Sequence, residues 1–188
     1  MKSIQGSLLL ASAAALVLWP ALLSAQITNS PPVTAEAVLQ IPNVDYRKEW
    51  VEIGSVSSLA DKSEEGSKQI DTVYIERKNL ESYLKDGKFP DGTVLVKELL
   101  TTKTEQLTTG KISYAPGVLT ARFVMVKDSG GKLGSGPRFG DGWGWAFYQG
   151  TETTKTVTGD FKVDCVGCHQ AAKGEDMIHV RLYPLLQR

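Results

Sequence analysis

The residues best able to do chemistry in this chain are Cys165, Cys168 and His169, in the run Cys165-Val166-Gly167-Cys168-His169. The 188 residues hold two cysteines and two histidines, so three of the four meet in five positions. A disulfide here would close too short a loop to restrict the unfolded chain. Cysteines at i and i+3 followed at once by histidine form the attachment sequence for a c-type haem. Two thiols at this spacing can add to the two vinyl groups on one porphyrin edge, and the adjacent imidazole can then reach the iron as proximal ligand. A thioredoxin-like redox pair would open the helix of a βαβ unit, a pattern absent around Cys165. A zinc site would want a second Cys/His pair, and only His179 remains.

The sixth iron position separates electron carriers from ligand-binding or catalytic haems. Carriers fill it with Met or a second His, and the candidates are Met125, Met177 and His179. If a helix starts at the motif, His179 lies about 15 Å along it, on the proximal side, and reads as a surface or packing residue. Met125 shares a strand face with Leu119 and Phe123 and reads as core. An open distal position is expected.

The elements that must place these groups are mostly strands. Alternation predicts strands over Gln69 to Glu76, Thr93 to Thr101 and Leu119 to Lys127. Trp143-Gly144-Trp145-Ala146-Phe147-Tyr148 reads as a buried strand whose glycine lets something bulky approach the backbone. A short helix is expected from Asp45 through Tyr46, Trp50 and Ile53 to Gly54, and a second from an Asn79 cap to Gly87. Phe89-Pro90-Asp91-Gly92 is a turn. The fold class is α+β: predominantly antiparallel β-sheet with flanking helices and a C-terminal haem motif.

Three segments follow. Residues 1–25 read as a cleaved signal peptide: Lys2, an apolar run from Leu8 to Leu23 broken by Pro20, then Leu23-Ser24-Ala25. That run is shorter than the ~20 residues needed to span a bilayer, so a periplasmic or secreted protein is expected. Residues 26–43 read as a flexible leader, and 44–188 as the haem domain. The chain has 21 Lys+Arg against 21 Asp+Glu, which removes the electrostatic case for a nucleic-acid partner.

The chain resembles the cytochrome P-460 family and its relative, the β-sheet form of cytochrome c prime. The resemblance rests on Tyr46 to Val51, Phe89 to Glu98, Trp143 to Tyr148, Cys165 to Gln170 and the closing Tyr183-Pro184. It implies a homodimer with five-coordinate haem c, held through Cys165 and Cys168 with His169 on the iron. In the cytochrome P-460 branch a lysine is also bonded to the macrocycle, and Lys97 falls on the matching position. Strand alternation puts one charge on each face, Lys97 on one and Glu98 on the other, so it cannot say which faces the haem.

That branch oxidises hydroxylamine to nitrous oxide or nitrogen oxides and passes electrons to an external acceptor such as another cytochrome. A pocket carboxylate is expected to take protons; Asp160 and Asp164 are available, with Asp160 the candidate by position. Phe89 matches a phenylalanine near the distal pocket. Arg47 and Arg122 could reach a haem propionate, or form surface ion pairs. The alternatives are a non-catalytic nitric oxide-binding or scavenging cytochrome and a simple electron-transfer cytochrome.

Overall fold

Period-two runs of β-branched and aromatic residues become one six-stranded antiparallel sheet in the computed structural model, which describes residues 34–188. In chain order the strands are β1 (Val51–Leu59), β2 (Ser67–Ile75), β3 (Val94–Thr101), β4 (Lys103–Leu107), β5 (Gly110–Tyr114), β6 (Leu119–Lys127), β7 (Phe139–Gly140) and β8 (Trp143–Gln149). The sheet order is β1-β2-β3-β6-β8-β7, and β4 and β5 form a separate hairpin between β3 and β6. The helices are short: α1 (Ala35–Val38), α2 (Tyr46–Glu49), α3 (Arg77–Asp86), α4 (Phe161–Asp164) and α5 (Val166–His169). The signal peptide expected over 1–25 lies outside the described residues.

Register decides what each face carries. The rows Ile75–Leu95–Met125–Trp145 and Val73–Lys97–Phe123–Phe147 cross β2, β3, β6 and β8 on one face. Leu80 and Tyr83 of α3 and the C-terminal Phe161, Met177, Ile178 and Leu186 pack on that face. The opposite face carries the row Tyr74–Val96–Val124–Ala146, covered by Leu39, Ile41 and Tyr46. Of the expected leader, the described part is therefore packed rather than loose. Leu39 is 1% exposed, and its carbonyl accepts the Tyr148 hydroxyl at 2.8 Å.

Glu98 falls on that second face at 1% exposure. It accepts the Tyr46 hydroxyl at 2.6 Å and Arg47 Nε at 2.8 and 3.0 Å, so its buried charge is paired and hydrogen-bonded. With Glu98 held there, alternation turns Lys97 to the face that carries Cys165, Cys168 and His169. Arg122 also lies by the second face and donates to the Glu152 carbonyl at 2.8 Å, so neither arginine reaches the motif.

Two local expectations change. The helix begun at Asp45 stops at Glu49; Trp50 is extended (φ −98°, ψ 172°) and Val51 opens β1. Pairing of β1 with β2 overrides the helical signal, as sheet context commonly does. The one glycine of the Trp143 to Tyr148 segment does admit bulk, but from within the protein: a Cβ on Gly144 would lie 2.7 Å from both Leu39 Cδ2 and Phe139 Cε1.

Candidate functional site

Cys165, Cys168 and His169 stand at the mouth of a cavity between the C-terminal segment and the first sheet face. Asp160 caps α4, accepting the Lys162 N–H at 2.9 Å, and Phe161 anchors it by stacking against Trp145 at 6.2 Å. Both cysteines are free, Cys165 buried and Cys168 exposed. Burial, with the Asp164 charge added, pushes the Cys165 thiol up to about 11. A redox cysteine needs the opposite shift, toward thiolate.

His169 is prepared as a ligand. Its Nδ1 lies 2.7 Å from the Met177 carbonyl, and its ring meets Trp145 edge-on at 4.8 Å. A carbonyl can only accept, so Nδ1 carries the proton and Nε2 presents its lone pair. Burial lowers the imidazole's pKa, which favours this neutral form.

The chain does not continue as a helix beyond the motif. α5 ends after four residues, a 3₁₀ turn covers Gln170–Glu175, and Asp176 and Met177 take φ of 57° and 64°. This return turn brings the His179 ring to 6.0 Å from that of His169, so the 15 Å helical separation does not arise. His179 Nε2 lies 3.0 Å from the Cys168 carbonyl and donates to it. Met177 is 2% exposed in the core behind His169, whereas Met125 lines the cavity.

The cavity encloses about 190 Å³, or about 880 Å³ with its open mouth included. Its sheet wall is Ile53, Val73, Leu95, Phe123, Met125 and Trp145; Ile178 and Tyr183 close the other side. Lys97 sits in this wall with 36% of its side chain exposed. Its Nζ is 2.8 Å from Asp71 Oδ2 and 5.9 Å from the Phe123 ring centroid, and its charge contributes to the lowering at His169. Asp71 is buried and also accepts the Gln69 amide.

Tyr183 is pushed up to about 12 by burial, with the Asp71 charge acting in the same direction. It therefore keeps its hydroxyl proton at neutral pH. Gly54 lets this segment approach β1, since a Cβ there would lie 2.9 Å from Pro184 Cδ and 3.4 Å from Tyr183 Cα.

The structure thus gathers Lys97, Cys165, Cys168 and His169 on one cavity and leaves Asp160 and Phe89 off its wall. Phe89 stacks on Tyr83 at 4.3 Å and meets Trp143 edge-on at 5.7 Å in the core. The phenylalanine on the wall is Phe123, stacked on Phe147 at 4.6 Å. Asp164 is the one carboxylate on the wall among the described residues; its Oδ2 accepts the Gly159 and Asp160 N–H groups at 2.8 and 3.1 Å. Sequence reading undervalued Asp71, Phe123 and Asp164. Alternation within β2 groups Asp71 with Val73 and Ile75, but only the register of β2 with β3 puts it on the face of Lys97, and Asp164 adjoins Cys165.

These residues fit haem c: two free thiols three apart, a neutral imidazole offering Nε2, and a largely apolar cavity wall beside them. No curated protein matches the chain. The family model described as Cytochrome P460 matches residues 44–180, which take in all eight strands, the cysteine-histidine motif and the return turn. The chain belongs to the cytochrome P460 family, whose members carry haem c.

Proposed function

We propose that the protein is an exported c-type haem enzyme that oxidises hydroxylamine to nitrous oxide or nitrogen oxides. The observation that carries this reading is the shared cavity, where an amine (Lys97) and a carboxylate (Asp164) join the anchoring motif. Haem, when bound, supplies a redox centre that accepts electrons from the substrate nitrogen and hands them to an external acceptor such as another cytochrome. Cys165 and Cys168 would anchor it by thioethers, and His169 Nε2 would ligate the iron.

Asp164 takes the protons that leave the substrate with its electrons. Lys97 would hold the macrocycle at a third point: an amine N–H and a ring C–H would give way to a C–N bond, with two electrons passing to the external acceptor and two protons leaving, one of them to Asp71, whose Oδ2 lies 2.8 Å from Nζ. Tyr183, which keeps its hydroxyl proton, lines the same cavity. The apolar wall from Ile53 to Trp145 lowers the local dielectric, which strengthens each polar contact beside it. Export follows from the signal peptide read at residues 1–25 and supplies a compartment where thiols are oxidised or modified. The protein acts as a homodimer.

A second reading is a nitric oxide-binding cytochrome, favoured by Phe123 on an otherwise apolar wall. The ferrous absorption spectrum of the purified protein and of Lys97→Ala separates the two, paired with intact mass. The hydroxylamine reading predicts a strongly red-shifted ferrous Soret band that the substitution abolishes. An ordinary five-coordinate spectrum, the same in both proteins, would discard the Lys97 bond and favour the second reading.

A further inference from the structure

The turn that returns Met177 to His169 has an unfavourable backbone. Asp176 and Met177 are consecutive non-glycine residues at φ 57° and 64°. Asp tolerates this left-handed region; Met, without a short polar side chain to bond locally, does not enter it readily. Something must hold the turn.

Two sheet residues do. Lys127 ends β6, Trp143 opens β8, and they are direct partners in the ladder. Lys127 Nζ donates to Asp176 Oδ1 at 2.6 Å from a side chain only 7% exposed, and lies 4.8 Å from the Trp143 ring centroid. Trp143 Nε1 donates to the Asp176 carbonyl at 2.9 Å and more weakly to Oδ1 at 3.3 Å. On the far side of the turn, Met177 N donates to the Ala172 carbonyl at 2.9 Å, and the Met177 side chain is buried in the core. The carbonyl pinned between these anchors is the one that accepts His169 Nδ1–H.

We infer that Lys127, Asp176 and Trp143 are positioning residues that fix the Met177 carbonyl on His169 and thereby set how strongly the imidazole donates to the iron. The inference rests on the reading that His169 ligates haem iron. Hydrogen bonding at the remote ring nitrogen raises the basicity of a metal-bound histidine. A firmly held carbonyl therefore strengthens the iron–histidine bond and favours the ferric state. A loose one does the reverse. Among the described residues the Lys127 side chain donates a hydrogen bond only to this turn, and it lies off the cavity wall, which gives it a role of its own.

The test is resonance Raman spectroscopy of the ferrous holoprotein together with a potentiometric titration, on Lys127→Met, Lys127→Arg and Asp176→Asn. Asn keeps the left-handed backbone and the Trp143 bond to the carbonyl while removing the ion pair. The expected result is an iron–histidine stretch shifted to lower frequency and a raised reduction potential in Lys127→Met. Asp176→Asn should shift both in the same direction by less, and Lys127→Arg should restore both toward the parent. If Lys127→Met does not accumulate with haem, Asp176→Asn decides alone. Folded, haem-loaded variants with the parent's stretch and potential would overturn the inference. A parent protein with haem but no iron–histidine band would overturn the His169 assignment itself, a distinct outcome visible before any variant is made.

Discussion

Replacing both Cys165 and Cys168 with alanine is expected to give an exported chain that lacks covalent haem. Intact mass should fall by one haem, beyond the loss of the two sulfurs, and the Soret band should be absent after denaturing extraction. Stability should fall as well. A dry cavity of about 190 Å³, at about 24 cal/mol per Å³, is worth on the order of 5 kcal/mol. That is an upper limit because the mouth admits water, yet it matches the lower end of a whole domain's ~5–15 kcal/mol. Chemical denaturation of the variant beside the parent measures it. A variant that retains one haem mass under denaturing conditions would refute the anchoring role of both cysteines.

Asp164→Asn is expected to lower hydroxylamine turnover by about 10²–10⁴-fold, the usual contribution of a positioned acid–base group. The absorption spectrum should be unchanged. Asn can still accept the Gly159 and Asp160 N–H groups that Asp164 accepts, so the loop should keep its shape. Asp160→Ala is the useful contrast. Asp160 caps α4 through Lys162 N, and its loss should cost about 1 kcal/mol of stability and little turnover. Steady-state rates for the two variants, with their unfolding midpoints, separate a proton acceptor from a capping residue. Equal turnover in Asp164→Asn and the parent would remove Asp164 from the chemistry.

The sheet was legible because its strands alternate. β6 was expected over Leu119 to Lys127 and occupies those residues, and β8 follows the aromatic run from Trp143. The grouping of Cys165, Cys168 and His169 was legible because their spacing in sequence already sets them side by side, and all three line the one cavity. The orientation of β3 was not, since each face offered one charge. Glu98 settles it through Tyr46 and Arg47, partners 52 and 51 residues away that no local pattern announces. β1 was hidden by the helix-start signal at Asp45, which ends after one turn when Val51 pairs with Ile75.

The return turn was hidden for a different reason. It is made by Asp176 and Met177 at positive φ, with no glycine at either position to mark the reversal, and it depends on Lys127 and Trp143 from distant strands. Helical extrapolation past His169 therefore failed, and with it the distance to His179. Asp160 and Asp164 differ by one helical turn. Only the packing of Phe161 against Trp145 shows that Asp164, not Asp160, borders the cavity.

The most direct test of the central claim is nitrous oxide production by the purified holoprotein supplied anaerobically with hydroxylamine and an excess of a one-electron acceptor. The expected result is nitrous oxide over many turnovers, with acceptor reduced in fixed proportion to hydroxylamine consumed, and loss of both in Asp164→Asn. A holoprotein that binds nitric oxide but consumes no hydroxylamine and reduces no acceptor would contradict it.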